Sequence, residues 1–326
     1  MRLPDQILRT VCFISPSTAD IKYGGTGFIV AVKGDHDNAY LHLVTAKHVA
    51  KAVEGAPFVI GINTKRGEKA ILDADLESGG MKWWYHPAEP DAVDAAVTMF
   101  APARYEELDI EWVFEAMFTN PALMTEKGIG IGDEIAIVGL FTAFSGQKRH
   151  FPIVRIGNLA MLPTERIPVE GFDPMEAYLA EVRSLKGLSG SPVFVRETLN
   201  LIVGSEKGGK AEKHLAGCGQ IHFLGLISGH WDLPKIYEPD QIKPVNMGVS
   251  IVVPAHKIME VVNHPELVEM RKQYDKKYHE EASPTLDFDF DAVQETSKGF
   301  EVPVPNRWAF EEALRKASRK MSDGKK

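Results

Sequence analysis

Short apolar runs recur along the chain from Val11 to Val253. Val11-Cys12-Phe13-Ile14, Phe28-Ile29-Val30-Ala31-Val32, Tyr40-Leu41-His42-Leu43-Val44 and Phe58-Val59-Ile60-Gly61-Ile62 are rich in β-branched and aromatic residues. Turn formers punctuate them, so each reads as a strand, and together they predict an all-β barrel architecture. Val49 to Val53, after His48, predicts a single helical turn. The pattern changes near Ala255, where a helix to about Val262 is expected; Pro265 suits the first turn of a second helix to about Glu280. That helix is heavily charged and presents a solvated face. Residues 282–305 read as loop, and Asn306 is placed to cap a last helix from Arg307 to Lys320.

Composition narrows the class. The chain has 326 residues, 44% hydrophobic and 25% charged, as in soluble globular proteins. A formal charge of −8 argues against general affinity for nucleic acid. No apolar stretch reaches membrane-spanning length, and residues 1–9 lack the apolar core of a signal peptide. The two cysteines, Cys12 and Cys218, read as reduced thiols, so a cytoplasmic location is expected. No spacing of His, Cys, Asp and Glu suggests a metal site, and no glycine loop suggests a phosphate.

Three segments carry candidate chemistry. Lys186-Gly187-Leu188-Ser189-Gly190-Ser191-Pro192 is a turn running into an apolar strand; Leu43-Val44-Thr45-Ala46-Lys47-His48 is a strand ending on a histidine; Asp94-Ala95-Ala96-Val97 is an aspartate opening an apolar run. A serine hydroxyl needs a base to take its proton, and imidazole titrates near neutrality, which makes His48 the candidate. The histidine needs a carboxylate to fix its tautomer, for which Asp94 is the candidate and Asp91 the competitor. Glycines beside Ser189 let the chain turn tightly enough to aim the amides of Gly187 and Ser189 at one point, as an oxyanion requires. Taken singly, each segment has an ordinary reading as a strand end or a turn. In this order, 46 and 95 residues apart, they point together to nucleophilic acyl transfer.

At these residues the chain resembles the trypsin-like serine peptidases, and within them the bacterial HtrA-like and glutamyl-endopeptidase-like branch. The order His, Asp, Ser is that of the chymotrypsin type. The resemblance runs from about Val11 to Val262 and includes Gly25-Thr26-Gly27-Phe28, Gly132-Asp133-Glu134-Ile135, Arg155-Ile156-Gly157, Gly225-Leu226-Ile227-Ser228-Gly229 and Gly248-Val249-Ser250. It implies two six-stranded antiparallel β-barrels in residues 1–262, joined near 120–130, and a C-terminal α-helical extension in 263–326. It also implies that His48 is the general base, Asp94 the orienting acid and Ser189 the nucleophile, with the Gly187 and Ser189 amides as the oxyanion hole. Asp94 is preferred to Asp91 because Ala96 and Val97 follow it as in the family pattern. Leu188 replaces the aspartate that pairs with a new N-terminus in trypsin activation, Ser191 replaces the second glycine, and the tail is too short for a PDZ domain.

The resemblance implies a serine endopeptidase that forms an acyl-enzyme on Ser189, acts on protein or peptide substrates and needs no cofactor. The alternative is a partner-activated or catalytically silent peptide-binding module, with the extension sensing a protein activator. The primary pocket is expected between the segment before Ser189, the Ser228-Gly229-His230 strand and the Gly248-Val249-Ser250 strand. Arg183 stands where trypsins carry a carboxylate, which disfavours cleavage after Lys or Arg. Two pockets stay open: one made electropositive by Arg183, Lys186 and His230 that takes an acidic side chain, and an apolar one that takes Leu, Val or Ala.

Overall fold

A computed structural model describes residues 2–16, 21–34, 39–74, 81–102, 105–182, 187–198, 200–203, 213–216, 219–232, 246–282, 293–295 and 301–303. By its internal contacts the chain divides into a unit of residues 1–273 and a second of 274–326.

The first unit is mostly β-structure. After a single turn α1 (Asp5–Leu8), its N-terminal half holds β1 (Val11–Ser15), β2 (Gly25–Lys33), β3 (Ala39–Thr45), β4 (Phe58–Asn63), β5 (Lys69–Ala74), β6 (Trp84–Tyr85), β7 (Ala96–Met99) and β8 (Val113–Phe114), with α2 (Lys47–Lys51) after β3. These strands form one eight-stranded sheet in the order β5-β4-β1-β2-β3-β7-β6, with β8 paired to β2. Among the described residues its hydrogen-bonded path is open at β5 and β6. The C-terminal half closes completely. Strands β9 (Glu134–Gly139), β10 (Ile153–Met161), β11 (Tyr178–Glu181), β12 (Pro192–Arg196), β15 (Ile221–Asp232) and β16 (Asn246–Pro254) form a barrel in the order β10-β11-β16-β15-β12-β9. A hairpin of β13 (Asn200–Val203) and β14 (Lys213–Ala216) stands apart from it. Of the two expected barrels, the second is thus a closed six-stranded barrel and the first is a sheet.

The halves are joined by α3 (Pro121–Lys127), whose ends follow capping chemistry. Asn120 accepts from the Leu123 amide at 2.9 Å, Pro121 opens the first turn, and Gly128 ends the helix in the left-handed region at φ 65°. One core fills the barrel with Ile135, Ile137, Leu159, Val193, Leu224 and Val252. The other runs from the sheet into the junction of the halves, where Phe223 meets Phe28, Phe118 and Phe194 with ring centroids 5.2, 4.6 and 5.9 Å away. Trp83 and Trp84 are buried in the N-terminal half.

Helices α4 (Ala255–Val262) and α5 (Pro265–Ala282) follow the barrel as expected. Leu267 is fully buried, and Arg271 anchors α5 to the sheet. The Arg271 guanidinium bonds His42 Nε2 at 3.0 Å, the Val262 carbonyl at 2.8 Å and Asn263 Oδ1 at 2.9 Å. His42 Nδ1 lies 3.1 Å from the Tyr40 carbonyl, so the ring is neutral, with its proton on Nδ1 and its lone pair toward Arg271. In the second unit a short hairpin, β17 (Val293–Glu295) with β18 (Glu301–Pro303), occupies part of the stretch expected to be loop. Its three-residue strands are too short to leave a periodic signal. The expected helix from Arg307 to Lys320 lies outside the described residues, as does Cys218. Cys12 is a free, fully buried thiol that burial pushes up to about 12.

Two stability predictions follow from these buried groups. Arg271→Met strips three acceptors of a charged donor and should cost about 2–4 kcal/mol in urea unfolding. His42 and His150 are both depressed to about 4, by burial first and then by the charges of Arg271 and Lys69 respectively. A depressed histidine contributes stability above its unfolded value near 6.5 that is lost as pH falls toward 4. The urea midpoint should therefore fall between pH 7 and pH 4.5, and His150→Phe should flatten that fall; an unchanged slope in the variant would count against this account.

Candidate active site

Asp94 lies in the connection between β6 and β7, and its side chain has 0% exposure. Three donors converge on its carboxylate. The His48 amide donates to Oδ1 at 3.0 Å, His48 Nδ1 meets Oδ2 at 2.9 Å, and the Ser228 hydroxyl donates to Oδ2 at 2.6 Å. His48 stands in the first turn of α2, where Ala46 offers no side-chain cap, so Asp94 satisfies an otherwise orphaned helix N–H. With Nδ1–H held by the carboxylate, the lone pair of the neutral ring is on Nε2. The imidazole is 45% exposed. Its partial burial works against the charged form, but the hydrogen bond and charge of Asp94 outweigh that and raise His48 above its ordinary value. The competing Asp91 is 76% exposed and pairs with Lys47 at 3.0 Å, away from His48.

Ser189 sits in the turn before β12. Its hydroxyl donates to the Ser228 carbonyl at 3.3 Å, and among the described residues it makes no hydrogen bond to His48. Two glycines shape this turn. Gly187 has φ 97°, and a Cβ there would stand 2.6 Å from Thr142; Gly190 has φ 82°, and a Cβ there would stand 2.1 Å from the Thr26 carbonyl. Both positions exclude side chains for steric as well as conformational reasons. The amides of Gly187 and Ser189 donate to no protein acceptor among the described residues.

The sequence pattern missed what holds this turn in place. Thr26, on β2 of the N-terminal half, donates its hydroxyl to the Gly187 carbonyl at 2.8 Å and accepts from the Leu140 amide at 2.9 Å. Its own amide donates to the Ser189 carbonyl at 3.0 Å, and its carbonyl accepts from the Thr45 hydroxyl at 2.7 Å. A threonine in a Gly-Thr-Gly-Phe strand carries no local sign of this role. Ser228, expected only in the substrate pocket, has the second job of donating to Asp94.

A cleft of 460 Å³ opens beside His48, lined by Val169, Phe172, Ser228, Gly229, His230 and Trp231 among others. It brings together three of the expected substrate-pocket residues, Ser228, Gly229 and His230; Arg183 and Lys186 lie outside the described residues. A larger groove of 720 Å³, against Trp84, Met99 and Met270, contains no histidine or serine. Among the described residues no group of His, Cys, Asp and Glu side chains could hold a metal ion, and no helix is long and apolar enough to cross a membrane.

No family model matches the sequence, and no curated protein matches it. Solved structures similar in chain path include Deg5, at 15% identity over 78% of this chain and 88% of that chain with a TM-score of 0.45. The HtrA-type protease AlgW with a decapeptide follows at 12% identity, 81% and 66% coverage and a TM-score of 0.44. The active form of the Rv3671c protease from M. tuberculosis has 14% identity, 79% and 82% coverage and a TM-score of 0.40.

The raised His48 value gives a direct prediction. The imidazole should titrate above 6.5 by NMR, and Asp94→Asn should bring it below that value, because burial then acts without the opposing carboxylate. An unshifted titration in Asp94→Asn would mean that Asp94 does not govern this ring.

Proposed function

We propose that the protein is a serine endopeptidase with His48 as general base, Asp94 as orienting acid and Ser189 as nucleophile. The observation that carries this reading is the buried Asp94 carboxylate bonded to His48 Nδ1, beside a serine turn whose Gly187 and Ser189 amides have no protein acceptor among the described residues. Attack requires the Ser189 hydroxyl to leave the Ser228 carbonyl and turn to His48 Nε2. Its proton passes to His48 as Oγ bonds the scissile carbonyl carbon. The carbonyl oxygen, now an oxyanion, accepts from the Gly187 and Ser189 amides. The His48 proton then goes to the departing amine, leaving an acyl-enzyme, and water activated by His48 returns the free serine.

A protein or peptide substrate fits a cleft that runs along β15 from Ser228 to Trp231. Nothing in these steps calls for a cofactor, so chelators and reductants should leave activity unchanged. The buried, unbridged Cys12 supports the expectation of a reducing, cytoplasmic compartment. One observation favours the second reading, a peptidase activated by a partner: the Ser189 hydroxyl rests on Ser228 and not on His48. In that reading residues beyond 262 are the candidate sensor, and labelling of Ser189 would rise when the partner is added.

A fluorophosphonate should label wild-type protein at Ser189 and fail on Ser189→Ala, as read by mass spectrometry. Asp94→Asn should lower kcat by about 10⁴, and Asp91→Asn should have little effect. Because His48 must be neutral to act, and its pKa is raised, the acid limb of kcat/KM should have its midpoint above 6.5. Labelling that persists in Ser189→Ala would remove the assignment.

A further inference from the structure

Residues 86–95, which include Asp94, join β6 to β7 without a strand or helix of their own. Its Val93 and Ala95 are packed in the core, and its polar groups are held by individual bonds. The Glu89 amide donates to His86 Nδ1 at 2.9 Å, and the buried His86 ring places Nε2 2.7 Å from Glu260. Lys47 bonds the Pro90 carbonyl and Asp91, and the Asp173 amide donates to the Asp91 carbonyl at 2.9 Å. Two further ties meet at the Glu89 side chain. Glu89 Oε2 accepts from Lys257 on α4 at 2.8 Å, and Glu89 Oε1 accepts from Arg166. Lys257 also faces Glu260 at 3.7 Å and Glu176 at 4.0 Å, so Glu89 is its partner at hydrogen-bond distance. Arg166 belongs to the connection between β10 and β11, whose Pro168, Val169, Glu170 and Phe172 wall the cleft beside His48.

We propose that Glu89 is a positioning residue that clamps the Asp94 segment to the wall of the substrate cleft. Three parts of the fold meet at its carboxylate: the segment that carries Asp94, the helix after the barrel, and the loop that walls the cleft. Substrate contact with Val169 and Phe172 and the aim of Asp94 at His48 then depend on the same two ion pairs. Lys257 first, then Arg166, holds the Glu89 carboxyl down at about 2, so the clamp stays charged across any working pH. Partly exposed ion pairs of this kind add little to global stability. Their effect belongs in the placement of Asp94, which has to meet His48 within tenths of an ångström.

The inference rests on the reading of Asp94 as the orienting acid, and its test does not need hydrolysis. The His48 imidazole is titrated by NMR in wild type, Glu89→Gln, Glu89→Asp and Lys257→Met, beside urea unfolding and steady-state kinetics. Glu89→Gln and Lys257→Met should each move the His48 titration down toward 6.5. Each should lower kcat/KM by about ten- to a hundredfold, as expected for small misplacement of a catalytic group. The double variant should be no worse than the worse single, and Glu89→Asp should recover part of the shift. An unchanged His48 titration in variants that have only lost stability overturns the proposal and leaves a surface brace. Arg166→Gln, altering a half-exposed side chain, carries the same expectation should Glu89→Gln fail to fold. A wild-type protein that never labels at Ser189 would overturn the peptidase reading while the titration still decides the clamp.

Discussion

Asp94 brings a carboxylate into the junction of the two halves with no exposed side-chain surface. Moving such a group out of water costs several kcal/mol unless donors replace the lost hydration. The fold supplies three of them, from the backbone and ring of His48 and from the hydroxyl of Ser228. These donors come from α2 and β15, elements that belong to opposite halves. Satisfying one buried charge therefore fixes the histidine, its tautomer and the edge of the β15 strand that lines the cleft.

The serine turn is held by a different device. Thr26 reaches from the N-terminal sheet with its hydroxyl, amide and carbonyl all engaged, two of them with the Gly187–Ser189 turn. With the Gly187 and Ser189 carbonyls both tied to Thr26, the turn is fixed to β2 on either side of Leu188. Phe223 adds the apolar part of the same junction by packing against rings from β2, β12 and the segment before α3. Polar and apolar contacts thus align the two halves at the place where the candidate base and nucleophile come together.

Three histidines show how environment divides one residue type into different roles. His42 and His150 are buried against cationic neighbours, Arg271 and Lys69, and are held neutral to about pH 4. His48 is partly exposed and faces a carboxylate, so its charged form is favoured despite desolvation. Only the last combination gives a ring that can take up a proton near neutral pH and return it. The first two use a histidine as a shaped hydrogen-bonding group in the core.

Much of this was legible in the chain before any coordinates. Alternating and continuous apolar runs determined the strands, Pro265 marked the break between α4 and α5, and the Gly-x-Ser-Gly turn with His48 and Asp94 at strand edges identified the candidate site, because those signals are local. The choice between Asp91 and Asp94 was weaker: three residues apart on one segment, they differ in sequence only by the small and apolar residues that follow Asp94, while in the structure one is paired on the surface and the other buried against His48. Thr26, Glu89 and the second task of Ser228 had no signature at all. Each acts on a partner roughly 80 to 170 residues away in sequence for most of its bonds, and a side chain's partner at that separation is set by how strands and loops pack. The same holds for the closure of one half into a barrel while the other remains a sheet. Local pattern determined which segments are strands and which residues could do chemistry; tertiary packing decided which of those residues meet, since burial, charge pairing and register exist only once distant segments lie side by side.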